Sequence, residues 1–333
     1  MFNRPQIGID LGTVTMMACR KGREELILEP SLAAILEGGT EPAAFGQEAL
    51  RLIQQKPSSF TPVQPIKGGT IADEKSAVEL LAYILNKTGS SRSLFSKKPE
   101  AAVCISTGAT DVEKRAVVKA LYISGAGRVR LIEEPLAAAL GSGIAAEEAE
   151  AHMIVSIGGG KSEAAVMAAG RIILSHTART GGRDLDEAFS RFMNENYNLL
   201  ISPSTAEETK LKIGSAPGFH QSESYVIRGI DTVSGLPRSV EIQPSILEKI
   251  YEAPLKKILH TALRTLQSLP PETSGELLDR GVVLCGGGAL LPGLASWMSD
   301  ILQIPVQLSP CPVEAAVKGA SLSFNFSESG ESL

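Results

Sequence analysis

An α/β protein made of two related halves is what the sequence predicts, on three observations. Segments with strand-like alternation take turns along the chain with segments of helical spacing, the pattern of an α/β fold. Next, "IGIDLGTVTMMACRKGREELIL" from Ile7 and "MIVSIGGGKSEAAVMAAGRIIL" from Met153 both read as strand, glycine turn, strand, turn, strand, with Asp10 opposite Ser156 and Gly12 opposite Gly158. Finally, "VCISTGATDVEKRAV" and "VVLCGGGALLPGLAS" both read as strand, small-residue turn, helix. Two matched pairs in one chain indicate duplicated domains facing each other, with glycine turns from both lining the cleft between them.

The elements follow in order. Residues 6–12 read as a buried strand closed by a glycine turn, and 15–22 and 25–36 continue as strands with turn residues between them. Residues 73–87 have apolar positions at helical spacing with Asp73 as a cap. A polar, basic loop occupies 90–99, then a strand at 101–106, a helix at 110–125, a short strand at 129–132 and a helix at 133–143. Three strands are expected at 152–160, 163–170 and 171–178, helices at 184–197 and 204–214, and strands around a turn between Ser222 and Val240. A long helix covers about 246–269 with Pro254 as a kink, followed by a strand at 281–288, a helix at 291–302, a strand at 305–308, a last helix at 312–324 and a loose polar tail.

Composition excludes several classes. The length of 333 residues suits two domains, and a net charge of -5 argues against a general nucleic-acid binder. No apolar run approaches membrane-spanning length, and the early strand leaves no expected signal peptide. Cys19, Cys104, Cys285 and Cys311 lack CxxC spacing and read as buried thiols of a cytoplasmic protein, and the histidines show no metal-ligand spacing.

The glycine turns carry the chemistry. "DLGT", "IGGGKS" and "GGGAL" each let backbone N–H groups approach phosphate oxygens, and "GGGAL" is expected to open a helix. Any one alone reads as a tight hairpin, but three at equivalent places in a duplicated chain favour a phosphate site. "GKS" at Gly160 imitates the end of a P-loop, but Val155 stands where its first glycine belongs and a strand follows, so a P-loop is rejected. "GSG" at Gly141 follows a helix and is no dinucleotide fingerprint.

Those turns, together with "EPS" at Glu29, "GGTIAD", "TDVEKRAV", "LIEEPLAAALGSG", "GGRDLDEAF", "YNLLI", "TAEETKLKIGSA", "DRGVVLCGGGALLPGL" and "AVKG", resemble the MreB family of bacterial actin homologues over nearly the whole chain. The resemblance implies a duplicated actin-like (ribonuclease H-like) fold. Its first half would be 1–142 plus 313–333, with a small subdomain inserted at about 32–66. Its second half would be 143–312, with an insertion at about 182–240. It implies ATP or ADP in the cleft, filaments under the cytoplasmic face of the membrane, and work with the cell-wall elongation machinery that sets rod shape. It places Asp10, Gly12, Thr13, Val14 and Thr15 in a first phosphate loop, with Asp10 reaching Mg2+ through water. Ser156, Gly158, Gly159, Gly160 and Lys161 fall in a second loop, Glu207, Glu208, Thr209 and Lys210 near the nucleoside, and Gly286, Gly287, Gly288, Ala289 and Leu290 on the adenosine side. Glu134 would position the attacking water. Read from the residues alone, Glu134 is better taken as a helix-start charge favoured by the macrodipole.

The second loop departs from the family pattern D-I-G-G-G-T-T-E. Ser156 replaces the acid, Lys161 replaces a threonine, and Arg183 stands where the related "GGDEMDEA" has an acid. The exchanges at Ser156 and Lys161 add one positive unit each, together equal to the charge of Mg2+, so Lys161 reads either as a partial replacement for the metal at the phosphates or as a solvent-facing relic of a decayed site. Leu94 and Phe95, flanked by Arg92, Lys97 and Lys98, read as a membrane-inserting tip or as a loop folded on its own helix. A slow ATPase filament is the leading reading, and a pseudo-ATPase scaffold that modulates another filament is the second. An Hsp70-type chaperone is disfavoured because no peptide-binding domain is expected after the last helix, and a sugar or acetate kinase because no substrate-binding insertion is visible.

Overall fold

The computed structural model describes residues 4–89, 97–145 and 148–325, so Leu94, Phe95 and the polar tail lie outside the described residues. The chain divides into two compact units, one of Met1–Ala149, Ala168–Ile172 and Val313–Leu333, the other of Glu150–Met167 and Ile173–Pro312.

In the first unit, β1 (Gln6–Leu11), β2 (Thr15–Arg20) and β3 (Leu26–Pro30) form an antiparallel meander. Next come β4 (Ala33–Leu36), β5 (Pro42–Phe45), α1 (Gly46–Gln55), β6 (Phe60–Val63), β7 (Ile66–Lys67), β8 (Thr70–Ile71) and α2 (Glu74–Lys87). Then β9 (Glu100–Ile105), α3 (Asp111–Ile123), β10 (Arg128–Glu133) and α4 (Glu134–Gly141) complete the run. The main sheet has the order β10-β9-β1-β2-β3, with β9 parallel to both β1 and β10. Its core is built from Ile7, Ile9, Leu80, Leu81, Ile84 and Leu121. Asp73 caps α2, accepting from the Ser76 N–H at 2.8 Å, and Thr110 with Glu113 closes a capping box on α3.

The second unit repeats this plan. It holds β11 (His152–Ile157), β12 (Ser162–Ala168), β13 (Arg171–Ala178), whose shared turn at Ala168–Ile172 groups with the first unit, α5 (Gly182–Tyr197), β14 (Leu199–Leu200), α6 (Pro203–Ile213), β15 (Tyr225–Asp231) and β16 (Pro237–Ile242). These are followed by α7 (Pro244–Gln267), α8 (Pro271–Arg280), β17 (Val282–Cys285), α9 (Leu294–Leu302) and β18 (Val306–Leu308). The sheet order is β13-β12-β11-β17-β18, the same arrangement of three meandering strands and two parallel ones. Leu11 pairs with Met16, and Ile157 with Ser162, across turns of equal length. The two hairpins therefore correspond in register, with Lys161 at the place of Thr15 and Glu163 at the place of Met17.

The last helix, α10 (Ala315–Leu322), belongs to the first unit and crosses α4. A Cβ on Gly319 would stand 1.6 Å from the Ala137 carbonyl oxygen, and one on Gly141 1.9 Å from that of Ala315. Only glycine permits so close a helix crossing, which gives "AVKG" and "LGSG" a packing reason.

Two differences from the expected elements stand out. α1 and α8 were not predicted from the pattern, because neither has a side-chain N-cap in its own sequence. In α1 the cap comes from β3, where the buried Glu29 accepts from the Gln47 N–H at 2.8 Å and also holds Lys87. "GGGAL" does not open an α-helix; Gly287–Leu290 is one 3-10 turn, and α9 starts at Leu294 after Gly293. Pro254 lies inside α7, as the sequence placed it.

Candidate functional site

In the first unit the candidate residues gather where the parallel strands β1, β9 and β10 end, the edge at which open α/β sheets bind ligands. Asp10 is the penultimate residue of β1 and half-buried. Gly12, Thr13 and Val14 make the turn into Thr15, and a Cβ on Gly12 would lie 2.1 Å from the Thr15 carbonyl oxygen. Ser31 anchors this turn twice: its hydroxyl donates to the Gly12 carbonyl at 2.5 Å, and its N–H donates to the Val14 carbonyl at 2.8 Å. Glu134 is the first residue of α4, half-buried, with Pro135 behind it setting the helix start. Asp10 and Glu134 thus stand at one end of one sheet.

In the second unit the residues around the end of β11 form one packed group. Gly158 donates its N–H to the Lys161 carbonyl at 2.9 Å, closing the turn. The start of α5 lies against it, with the Gly182 N–H on the Gly158 carbonyl at 2.9 Å and the Arg183 N–H on the Gly159 carbonyl at 2.8 Å. Gly181 is glycine because a Cβ there would lie 2.5 Å from the Gly158 carbonyl oxygen, and Asp184 accepts from its N–H at 2.8 Å. On the other side Gly286, at φ +83°, approaches the Ile157 carbonyl so closely that a Cβ would stand 2.3 Å away. Gly287 is exposed with open space above it, Gly288 packs on Ile157, Ala289 is buried and Leu290 exposed.

α6 supplies Lys210, whose ammonium donates to the Gly182 carbonyl at 3.0 Å and to Asp186 Oδ2 at 2.7 Å, tying α6 to the start of α5. Burial pushes the Asp186 carboxyl up to about 6 despite Lys210. Its second oxygen, the Tyr251 hydroxyl and the Ser215 hydroxyl are buried without a hydrogen-bond partner. Burial and the charge of Asp186 raise the Tyr251 phenol well above its ordinary value. Glu207 is exposed, the Thr209 hydroxyl turns back to the Thr205 carbonyl, and Glu208 accepts from the Tyr225 hydroxyl at 2.7 Å.

Lys161 does not face solvent. It is 7% exposed, and its ammonium lies 3.0 Å from Glu163 Oε2, while the Thr177 hydroxyl donates to Glu163 Oε1 at 3.1 Å. Glu163 is fully buried and stands directly across the hairpin from Ser156. The acid of this half is thus on β12, opposite the serine, and it holds the lysine. Strand alternation alone could have paired residues 156 and 163. Ser31 and Asp186 also escaped the sequence reading, because each acts through a partner distant in sequence.

Two sheets of identical strand order, each with a glycine turn at the carboxyl end of its central strand, define an actin-like α/β protein. The MreB/Mbl protein family model matches residues 4–330, and the chain belongs to this family. It is 35% identical over 322 residues to the cell shape-determining protein Mbl of Bacillus subtilis, covering 97% of this chain and 96% of the relative. It is 34% identical over 323 residues to the cell shape-determining protein MreB of Escherichia coli, covering 96% and 92%. Among solved structures it matches MreB5 of Spiroplasma citri bound to AMPPNP with a TM-score of 0.91, 29% identity, and 98% and 97% of the two chains covered. No helix of the described residues is long and apolar enough to cross a membrane.

Proposed function

We propose that this chain is a nucleotide-binding, filament-forming cytoskeletal protein that organises cell-wall synthesis and rod shape at the inner face of the membrane. The observation that carries the reading is the pair of register-matched glycine hairpins, joined in the second unit by Gly286–Gly288 and by the α5 start. AMPPNP bound to the Spiroplasma relative, and the cell-shape role in the names of the Bacillus and Escherichia relatives, support it. Gly12–Thr15 and Gly158–Lys161 would receive phosphates through backbone N–H groups, Gly286–Leu290 the adenosine side, and Glu207 and Lys210 the region of the ribose. Lys210 is already committed to Gly182 and Asp186, so its part is to hold the α5 start in place.

Hydrated Mg2+ needs acceptor oxygens, and nucleotide phosphates normally supply most of them. When bound, it would neutralise developing charge on the phosphates. Asp10 fits as an acceptor in the first unit. The second hairpin fits poorly, because Ser156 is neutral and Glu163 is occupied by Lys161 and Thr177. Glu134 at the start of α4 would orient a water, since a half-buried carboxylate can accept its proton. The Lys161–Glu163 pair also shapes the counter-ion reading: while paired the two add no net charge, so the ammonium offers a phosphate hydrogen-bond donors and little net charge.

That pair favours a second reading, a pseudo-ATPase scaffold of the same fold that binds nucleotide weakly or not at all and modulates another filament. Calorimetric titration with ATP, with Mg2+ and with chelator, alongside phosphate release, separates the two. Saturable ATP binding that survives chelation, with slow phosphate release dependent on Glu134, supports the first. ATP binding with no release above the Glu134→Ala level supports the second. An absence of any nucleotide binding overturns the first.

A further inference from the structure

Strand β13 and helix α7 line an open cleft of about 450 Å3 in which several basic side chains converge. Lys256, Lys257, His260 and Arg264 line it from α7, and His176 lines it from β13. No Asp or Glu is among its lining residues. Lys256 is drawn to Glu252 at 2.7 Å, one turn back, but no ion pair engages Lys257 or Arg264 among the described residues. Such a concentration of cations is unexpected from composition, since the chain carries a net charge of -5.

Helix physics does not account for it. Lys257, His260, Thr261 and Arg264 follow i, i+3, i+4, i+7 spacing and so share one stripe of α7. Basic residues in the last turn of a helix are favoured by the macrodipole, and Arg264 lies there, but Lys256 and Lys257 are mid-helix, where that benefit has faded. The exposed cations of this stripe border β13, so they share one cleft with His176.

The histidine on that wall is fixed in a definite tautomer. His176 Nδ1 lies 3.1 Å from the Thr265 hydroxyl oxygen, and that hydroxyl gives its own proton to the Thr261 carbonyl at 2.9 Å. Nδ1 is therefore the protonated nitrogen, and Nε2 is the atom that gains a proton when the ring becomes charged. Burial, then the charge of Arg264, holds His176 below the ordinary histidine value. The titratable and charged groups around the ring are Arg264, Lys256, Lys257 and His260 of α7, with Glu163 of β12 reached through Thr177.

We propose that this cavity is a binding site for a phosphate-type dianion, either free phosphate or the phosphate of a small ester, held by Lys257 and Arg264 and capped by His176. Ammonium and guanidinium groups with a flanking imidazole are the donors that such an anion selects, and the volume falls within the range of small-molecule sites. Binding neutralises Arg264 and so draws a proton onto His176, making affinity rise as pH falls through the histidine range. The site goes beyond the nucleotide reading and does not depend on it, because none of its donors belongs to a glycine turn. It lies one hydrogen bond from the buried acid that holds Lys161, since Thr177 lines the cavity and donates to Glu163.

The chain's four histidines supply an internal control, because His176 and His260 line the cavity and His152 and His220 do not. Histidine ring resonances of the full chain are followed by NMR during titration with inorganic phosphate and, in a second arm, glycerol 3-phosphate, at constant ionic strength set with KCl. The expected result is saturable movement of His176 and His260 alone, with an apparent affinity at least about tenfold weaker in Lys257→Gln with Arg264→Gln, two exposed positions whose exchange should leave the melting temperature unchanged. Tighter binding of inorganic phosphate identifies free phosphate as the occupant, and tighter binding of the ester identifies an esterified phosphate. Movement of all four histidines together, movement reproduced by KCl, or an unchanged affinity in the folded double variant overturns the proposal. An anion captured at the glycine turns would leave the double variant unaffected, so this outcome is separable from the nucleotide reading.

Discussion

Replacing Lys161 with methionine should destabilise the second unit through the partner it leaves behind. The Lys161–Glu163 pair has a 3.0 Å separation, which corresponds to a gross attraction of about 5.5 kcal/mol at an effective dielectric near 20. Both side chains are buried, 9% and 0% exposed, so desolvation offsets most of that attraction and the pair's net contribution is small. Removing only the lysine strands a buried carboxylate, a change that costs about 3–5 kcal/mol. At 2–4 °C per kcal/mol for units of this size, the melting temperature should fall by about 10 °C. Lys161→Met with Glu163→Gln removes both charges, retains the acceptor for Thr177, and should recover most of the loss. Thermal and urea denaturation of the parent, Lys161→Met, Glu163→Gln and the double variant, combined in a double-mutant cycle, measures this. An unchanged midpoint in Lys161→Met, or a double variant no more stable than the single, would refute the reasoning. The double variant also decides what the lysine does for ligand: ATP affinity falls if Lys161 serves the phosphates and is preserved if the pair only shapes the hairpin.

Further outcomes can be checked independently. The Asp186 carboxyl, raised to about 6 from 3.8, keeps its proton in the folded chain at pH values where the unfolded chain has released it. Its contribution is therefore fully present below about pH 4 and is lost as pH rises through 6, so wild-type urea stability should decline across that window relative to Asp186→Asn, and parallel curves would contradict it. Gly319→Ala forces a Cβ to 1.6 Å from the Ala137 carbonyl oxygen, so α10 should part from α4 with a loss of about 3 kcal/mol or more, seen as faster hydrogen exchange in both helices. Thr110→Ala removes the α3 capping box and should cost about 1 kcal/mol in urea stability. Leu94→Ser with Phe95→Ser should sharply reduce co-sedimentation with anionic liposomes; each side chain contributes only ~2 kcal/mol when buried, so filaments would supply the avidity.

The parts of the fold legible in the sequence were those written in local pattern. The two hairpins share glycine positions and alternation, so their duplication was visible before their identical sheet order was known. Asp73 and Thr110 announced α2 and α3 because their caps are local. α1 escaped because Glu29 caps it from a strand, and α8 because it begins at prolines with no capping side chain. The site was legible as glycine turns and as an anomaly at Ser156 and Lys161. Its resolution depended on register: Glu163 lies opposite Ser156 only once β11 and β12 are paired, and only then does Lys161 have a buried partner. Asp186 and Tyr251 were illegible because no short motif brings α5 beside α7.

The central claim is that nucleotide held at the glycine turns serves self-assembly. Sedimentation and negative-stain microscopy of the purified chain at micromolar concentration, with anionic lipid and with or without ATP, test it most directly. The expected result is pelletable protofilaments whose formation responds to ATP. A chain that remains monomeric with every nucleotide and lipid would contradict the claim.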